Sequence, residues 1–300
     1  MLRLTRNLHN SSILFQESNS ILSSRKEIDE YLQYFKTKRE LRPLVYRKKN
    51  SSELLSRDLF NDELKTRIVP LTPPKLPSKS SLSKLIYNSS NIDELYKIRD
   101  ELLYLSKKPK FTTSNHLTVY LEKSIQLRKL PHALTFLYSQ KTLRNLLNQD
   151  NLNFIYLLIY LNPFKSFEQK LHKLNISFSK IRSKDLISDL LKASIYLQFD
   201  EKLPEELINQ LKNSKLELSN SLDINKNIGS LSKIFKENRL LYLQLKPISL
   251  QFTQIDGFNK FDLIVKIDEF VKNYEIITKT LNKPNQFEEF KQSALFGKPN

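Results

Sequence analysis

Residues 90–109 read SNIDELYKIRDELLYLSKKP, and this stretch decides the fold class. Ser90 and Asn91 supply capping groups just ahead of Asp93 and Glu94, and Leu95, Ile98, Leu102 and Leu105 then recur at steps of three and four. That spacing puts four apolar side chains on one helix face, and Pro109, which cannot continue a helix, closes it. The same rhythm runs onward. Thr112 or Thr113 can cap a next helix carrying Leu117, Tyr120, Leu121 and Ile125. Leu130-Pro131-His132-Ala133 opens another, since proline suits a first turn, with Leu134, Leu137 and Tyr138 along its face. Further helices are expected at 151–161, 165–174, 185–198 and 204–213. Every second helix starts near Ile92, Pro131, Lys165 and Pro204, 39, 34 and 39 residues apart. A pair of short helices cannot hide its apolar faces alone, so the expected architecture is all-α, with stacked helical hairpins in the manner of an α-solenoid. An irregular helical bundle is the alternative.

Composition points the same way. The 300 residues hold three glycines (Gly229, Gly257 and Gly297), too few for phosphate-cradling loops or tight β-hairpins. Cysteine is absent, which removes thiol catalysis, disulfides and cysteine-ligated metals. His116, His132 and His172 have no acidic residue at metal-ligand spacing. Glu205-Glu206 follows Pro204, where negative charge favours a helix start, while Asp268-Glu269 and Glu288-Glu289 read as solvated helix faces. No catalytic residue, metal or cofactor is expected, and the chain does not read as an enzyme.

Outward from the helical centre, five regions separate. Residues 1–16, MLRLTRNLHNSSILFQ, carry Arg3 and Arg6 but no acid, with Leu4 and Leu8 one helical turn apart. An amphipathic, cationic, acid-free leader suits import into the mitochondrial matrix, so residues 1–20 are read as a presequence. A secretory core is broken by Arg6, Asn7, His9 and Asn10. The longest apolar run elsewhere, Phe154 to Leu161, is eight residues, against roughly twenty to cross a bilayer. Residues 21–67 form a basic N-terminal arm, interrupted at Pro43. Residues 68–80, IVPLTPPKLPSKS, hold four prolines and read as a stiff linker. A helical-repeat domain spans 81–215 and a C-terminal helical region 216–300. In the latter, Gly229 to Leu243 reads as a helix and Pro247 to Gln254 as a short strand or extended segment. Asn259 to Leu281 reads as an amphipathic helix, striped by Leu263, Ile267, Phe270, Val271, Tyr274 and Ile277, that caps the stack or, as the alternative use of the same stripe, meets a partner.

The charge balance, 49 basic against 32 acidic residues, is +17, and such a chain seeks polyanions. The arm concentrates Lys36, Lys38, Arg39, Arg42, Arg47, Lys48 and Lys49 against Glu40 alone. A second patch, Lys107, Lys108, Lys110, Lys123, Arg128, Lys129, Lys141 and Arg144, faces only Glu122. Tyr104, Phe111, Tyr120 and Tyr138 are interleaved with it and would stack bases if exposed. A third group, Lys165, Lys170, Lys173, Lys180, Arg182 and Lys184, is opposed by Glu168 and would continue the stripe onto the next hairpin.

The segment Leu85 to Leu95, LIYNSSNIDEL, continuing to Lys108-Pro109-Lys110, resembles the middle and end of a pentatricopeptide repeat. Thr112-Thr113-Ser114-Asn115-His116-Leu117 looks like the opening of the next repeat, and Lys123 and Ala133 stand where that repeat has a lysine and a small residue. The glycine that usually separates the helices is missing. The resemblance implies organellar gene expression, with the first helices lining an RNA-facing groove and Asn115 or His116 facing a base. The expected partners are therefore RNA, ribosomal or mitochondrial messenger, and the mitochondrial ribosome, in its small subunit, with peripheral contact to the inner membrane as a further partner. Two alternatives remain: a scaffold or assembly factor for an inner-membrane respiratory complex, and a transcript-specific translational activator or RNA-processing factor.

Overall fold

The computed structural model describes residues 22–57, 60, 67–107, 111–162, 166–182, 185–213, 222–255, 257–258 and 261–296. The leader read at 1–20 lies outside them. The fold is all-α: among the described residues there is no strand, only one isolated antiparallel bridge between Phe60 and Arg67. The chain divides into two compact units, Met1–Thr112 and Thr113–Asn300.

In the first unit, α1 (residues 22–36) is followed by α2 (Arg42–Tyr46), a 3-10 turn (Lys48–Asn50) and α3 (Ser51–Ser56). The hairpin α4 (Lys79–Asn88) and α5 (Ile92–Ser106) completes it. α5 starts where the capping residues place it: Asn91 Oδ1 accepts from the Glu94 N–H at 2.9 Å, and the Ser90 N–H donates back to the Glu94 carboxylate at 2.6 Å. Leu95, Ile98, Leu102 and Leu105 are all buried, as their spacing demands. α1 is tied to both helices of the hairpin. Arg25 grips the buried Glu101 with two hydrogen bonds, 2.6 and 3.2 Å, and Ser81 donates to Glu27 at 2.9 Å.

These contacts correct two boundaries. The first hairpin folds with the arm, so the division read at residue 81 falls after Thr112 instead, because Glu101 is buried against an arm residue. The proline-rich stretch 68–80 is not a bare spacer either. Ile68 packs on the small core of Val45, Tyr46 and Leu54, the Leu71 N–H donates to Val45 O at 2.8 Å, and α4 already begins at Lys79.

The second unit stacks three hairpins: α6 (Ser114–Gln126) with α7 (Leu130–Ser139), α9 (Gln149–Leu161) with α10 (Phe167–Ile181), and α11 (Leu186–Gln198) with α12 (Glu205–Asn213). A short α8 (Lys141–Arg144) links the first two. The first helices α6, α9 and α11 lie side by side, each backed by its hairpin partner. Across their other face run α13 (Ile228–Phe252), packed on α9 and α11, and α15 (Gln286–Phe296), packed on α6 and α9. α14 (Asp262–Thr280) pairs with α13. The Phe154 and Phe290 rings stack at 5.9 Å, Gln251 donates to the Tyr160 hydroxyl at 3.1 Å, and Arg239 donates to Glu122 at 2.7 Å. α9 is thus enclosed, every residue from Asn151 to Leu161 being buried, which accounts for the long apolar run there.

Three expectations change. Pro247 sits inside α13, not in an extended segment. Tyr242, Leu245, Ile248 and Phe252 bury one face of that helix, and this packing outweighs the roughly 3 kcal/mol a proline costs a helix interior. The helix over 259–281, which begins at Asp262, packs on α13, while α13 and α15 cover the first-helix layer. The C-terminal region is therefore a third layer and not an end cap. Finally, the missing glycines are replaced at helix ends by Arg128, Arg182, Asp200 and Asn282, all left-handed with φ between 49° and 56°.

Candidate nucleic-acid interface

The basic arm is built around two turns that flank α2. Val45 and Tyr46 point into the small core with Leu54, packed by Tyr34 and Leu44, so the polar residues on either side of them are turned outward. Lys36, Lys38 and Arg39 emerge at the end of α1, and Arg47, Lys48 and Lys49 at the end of α2; all six are exposed. Their backbone is held in place: Asn50 donates its side-chain amide to Pro43 O at 2.9 Å, and Ser51 Oγ donates to Lys48 O at 2.8 Å. None of the six has a carboxylate partner among the described residues. Arg42 behaves differently. Its Nε donates to Thr37 O at 2.9 Å and its Nη2 to Phe35 O at 2.6 Å, and the guanidinium lies 5.3 Å from the Tyr34 ring centre and 5.4 Å from that of Phe35. It caps α1, satisfying carbonyls that a helix end leaves open, so its charge is held against the arm.

Within the second unit the surface cations of the second patch fall into two separated pairs. Lys107 is exposed in the first unit, its Nζ 6.0 Å from the Tyr104 ring centre, while Lys108 and Lys110 lie outside the described residues. Lys123 is buried, so it is not a surface cation. Arg128 and Lys129 follow the end of α6, whereas Lys141 and Arg144 follow the end of α7. A ten-residue helix separates these two pairs, about 15 Å of rise, because an antiparallel hairpin sends its two ends apart. Linear density along the sequence concealed that separation. Phe111, Tyr120 and Tyr138 are buried, and so are not platforms for stacked bases.

The two residues expected to face a base also part company. Asn115 is exposed in the first turn of α6. His116 is 2% exposed and closes a capping box with Thr113, its Nδ1 accepting from the Thr113 N–H at 3.0 Å. A histidine spent on its own helix start has no edge left for a nucleotide. In the third group, Lys170 is buried: its Nζ donates to Tyr160 O at 2.6 Å and Gln198 Oε1 at 2.8 Å, and burial pushes its pKa down to about 8. Glu101 in the first unit is shifted the opposite way for a carboxyl, raised by burial and held back by Arg25. No group of three or more acidic or histidine residues suited to a metal occurs among the described residues. No helix there is long and apolar enough to cross a membrane.

Fold and charge together define a basic, all-helical protein in which, among the described residues, six exposed arm cations sit in turns and at helix ends without a carboxylate partner, while the first-helix layer of the second unit is covered. Comparison with protein families narrows this. Residues 3–88 match the model of the MRP13-like N-terminal domain, a mitochondrial ribosomal protein family, so over that stretch the chain is similar to mitochondrial ribosomal proteins. The match spans the basic arm, the proline-rich segment and α4; most of the residues that resemble pentatricopeptide repeats lie beyond it.

Proposed function

We propose that this protein is a component of the mitochondrial ribosome, in its small subunit in the matrix, and that it binds ribosomal RNA through the two basic turns of residues 36–49. It acts by binding and not as an enzyme. The observation that carries the reading is a coincidence of place: the segment similar to mitochondrial ribosomal proteins is the one that holds six exposed cations on a fixed scaffold without acidic partners. Six such cations neutralise up to six phosphates, and each phosphate contributes roughly 0.7 to 0.9 to the slope of log affinity against log salt. The contact would therefore be strong at low salt and carry little base preference.

Gradient sedimentation of a mitochondrial lysate, with and without RNase, tests the reading. Co-migration with the small ribosomal subunit, lost on RNase treatment, is the expected result. A light RNA-dependent peak would replace it with a transcript-specific factor, and migration indifferent to RNase would replace it with a scaffold for a respiratory complex.

A further inference from the structure

Two long acid-free stretches, 123–149 and 169–184, lie on different hairpins of the second unit, and the fold joins their ends. The Tyr138 hydroxyl, at the end of α7, donates to Ser177 Oγ on α10 at 2.8 Å, and both residues are buried. Arg144 Nη1 donates back to Tyr138 O at 3.2 Å, folding α8 over the same junction. On α10, Lys173, Ser177 and Lys180 stand at i, i+4 and i+7, so the two lysines share the helix face that Tyr138 touches. Lys141 and Lys180 are exposed, and Arg182 emerges just past the helix end.

We infer that this junction is a second RNA-phosphate contact, a cationic seam of Lys141, Arg144, Lys173, Lys180 and Arg182, separate from the arm. The inference rests on the reading that the protein binds RNA, and it adds a site in the other unit. None of the five cations has a carboxylate partner among the described residues. Elsewhere in the unit several cations are paired, Arg239 with Glu122, Lys246 with Glu275, Lys266 with Asp262 and Lys272 with Asp268, while others such as Lys236 and Lys291 are exposed like the seam's, so what marks the seam is that its cations converge on one junction. The nearest acid along the chain, Asp185, is engaged by Asn153 Nδ2 at 2.7 Å and by its own capping box.

Arg182 offers a position at which fold and binding can be separated. It has φ 53° and ψ 38°, a left-handed conformation at the end of α10 that glycine adopts without strain. Arg128, Asp200 and Asn282 end other helices in the same conformation, so what is particular to Arg182 is that this turn carries an exposed cation past the end of α10 beside Lys180. From Lys173 to Lys180 the α10 face runs about 10 Å, enough to meet two neighbouring phosphates of one strand. Tyr138 is buried and offers no stacking platform, while Phe178 on α10 is 38% exposed, so the inference is confined to the phosphate contact that the five cations make.

The test uses the full chain and a short fluorescein-labelled RNA hairpin, with affinity read by anisotropy from about 50 to 200 mM KCl. Lys141→Gln, Lys173→Gln and Lys180→Gln together should weaken binding about tenfold at the upper salt and reduce the salt slope by about 2. Arg182→Gly alone should raise Tm and yet weaken binding severalfold, a pairing that a purely structural role would not produce. A matched arm variant, Lys38→Gln, Arg39→Gln, Lys48→Gln and Lys49→Gln, separates the two claims. If the seam variants bind like the wild type while the arm variant fails, the seam is refuted and the proposed function stands. If only the seam variants fail, the seam stands and the arm assignment falls. If neither set changes affinity or slope, both fall.

Discussion

Lys170→Met isolates the energetic consequence of burying an ammonium group without a counter-charge. Lys170 is 2% exposed, and its ammonium lies between the C-terminal ends of α9 and α11, donating to Tyr160 O and Gln198 Oε1. The Tyr160 and Phe199 ring centres stand 5.7 and 5.4 Å away, and among the described residues no carboxylate pairs with it. Burial therefore lowers its pKa from 10.5 to about 8. The folded value is below the unfolded one, so the native state binds fewer protons between these limits, and stability rises as pH climbs from about 8 to 10.5. At 1.36 kcal/mol per pH unit the full penalty is about 3 kcal/mol near neutrality, and about 2 kcal/mol of it is relieved by pH 9.5. Methionine keeps the stem's bulk and removes the titrating group. Urea unfolding of wild type and Lys170→Met, at pH 7 and at pH 9.5, stays below the range in which Tyr160, raised by its own burial, ionises. The stability difference between the two proteins should move by about 2 kcal/mol in favour of the wild type at the higher pH. Parallel behaviour at both pH values would refute the idea that this lysine is held in a desolvated site.

Arg25→Met should destabilise the first unit by about 3 kcal/mol, because it strands the buried Glu101 carboxylate. Glu101 is already raised by burial, so its loss of Arg25 should also make stability fall more steeply as pH rises above the ordinary carboxylate range, readable by urea titration at pH 5 and 7. Leu158→Ala, in the middle of the enclosed α9, should cost roughly 2 to 5 kcal/mol in the same assay, with the second unit's transition moving and the first unit's staying in place. Arg42→Lys preserves the charge but not the planar fork on Thr37 and Phe35. It should lose about 1 to 2 kcal/mol while RNA affinity changes little, and an affinity loss as large as that of the arm variant would contradict its capping role.

What could be read from the amino-acid order was whatever is decided locally. α5 lies where Asn91 and the Leu95–Leu105 stripe put it, because a cap and an apolar period act within a few residues of each other. The hairpin rhythm was legible for the same reason. Pro247 was not, since the packing that keeps its helix whole comes from α9, α11 and α14, far away in the chain. His116 and Lys123 were misplaced in a related way. With Tyr120 they stand at i, i+4 and i+7, so they form a stripe with a buried aromatic at its centre. That spacing was the available sign that these polar residues face inward. The seam left a sign too, two acid-free stretches, but only the Tyr138–Ser177 hydrogen bond shows that they meet.

The third layer changes what kind of RNA contact the fold can make. A helical-repeat groove reads bases when its first helices present side chains to an open concave face. In the second unit that face carries α13 and α15 instead, secured by Arg239 on Glu122 and by the Phe154–Phe290 stack. Of the cations assigned to a polyanion, those of the arm stand at helix ends and turns, and those of the seam stand at helix ends and along one face of α10. Their spacing is set by the helices and not by the rise of a nucleotide. Such a surface suits an RNA whose own fold sets the phosphate positions, as in a ribosomal subunit, and suits poorly a flexible strand read base by base.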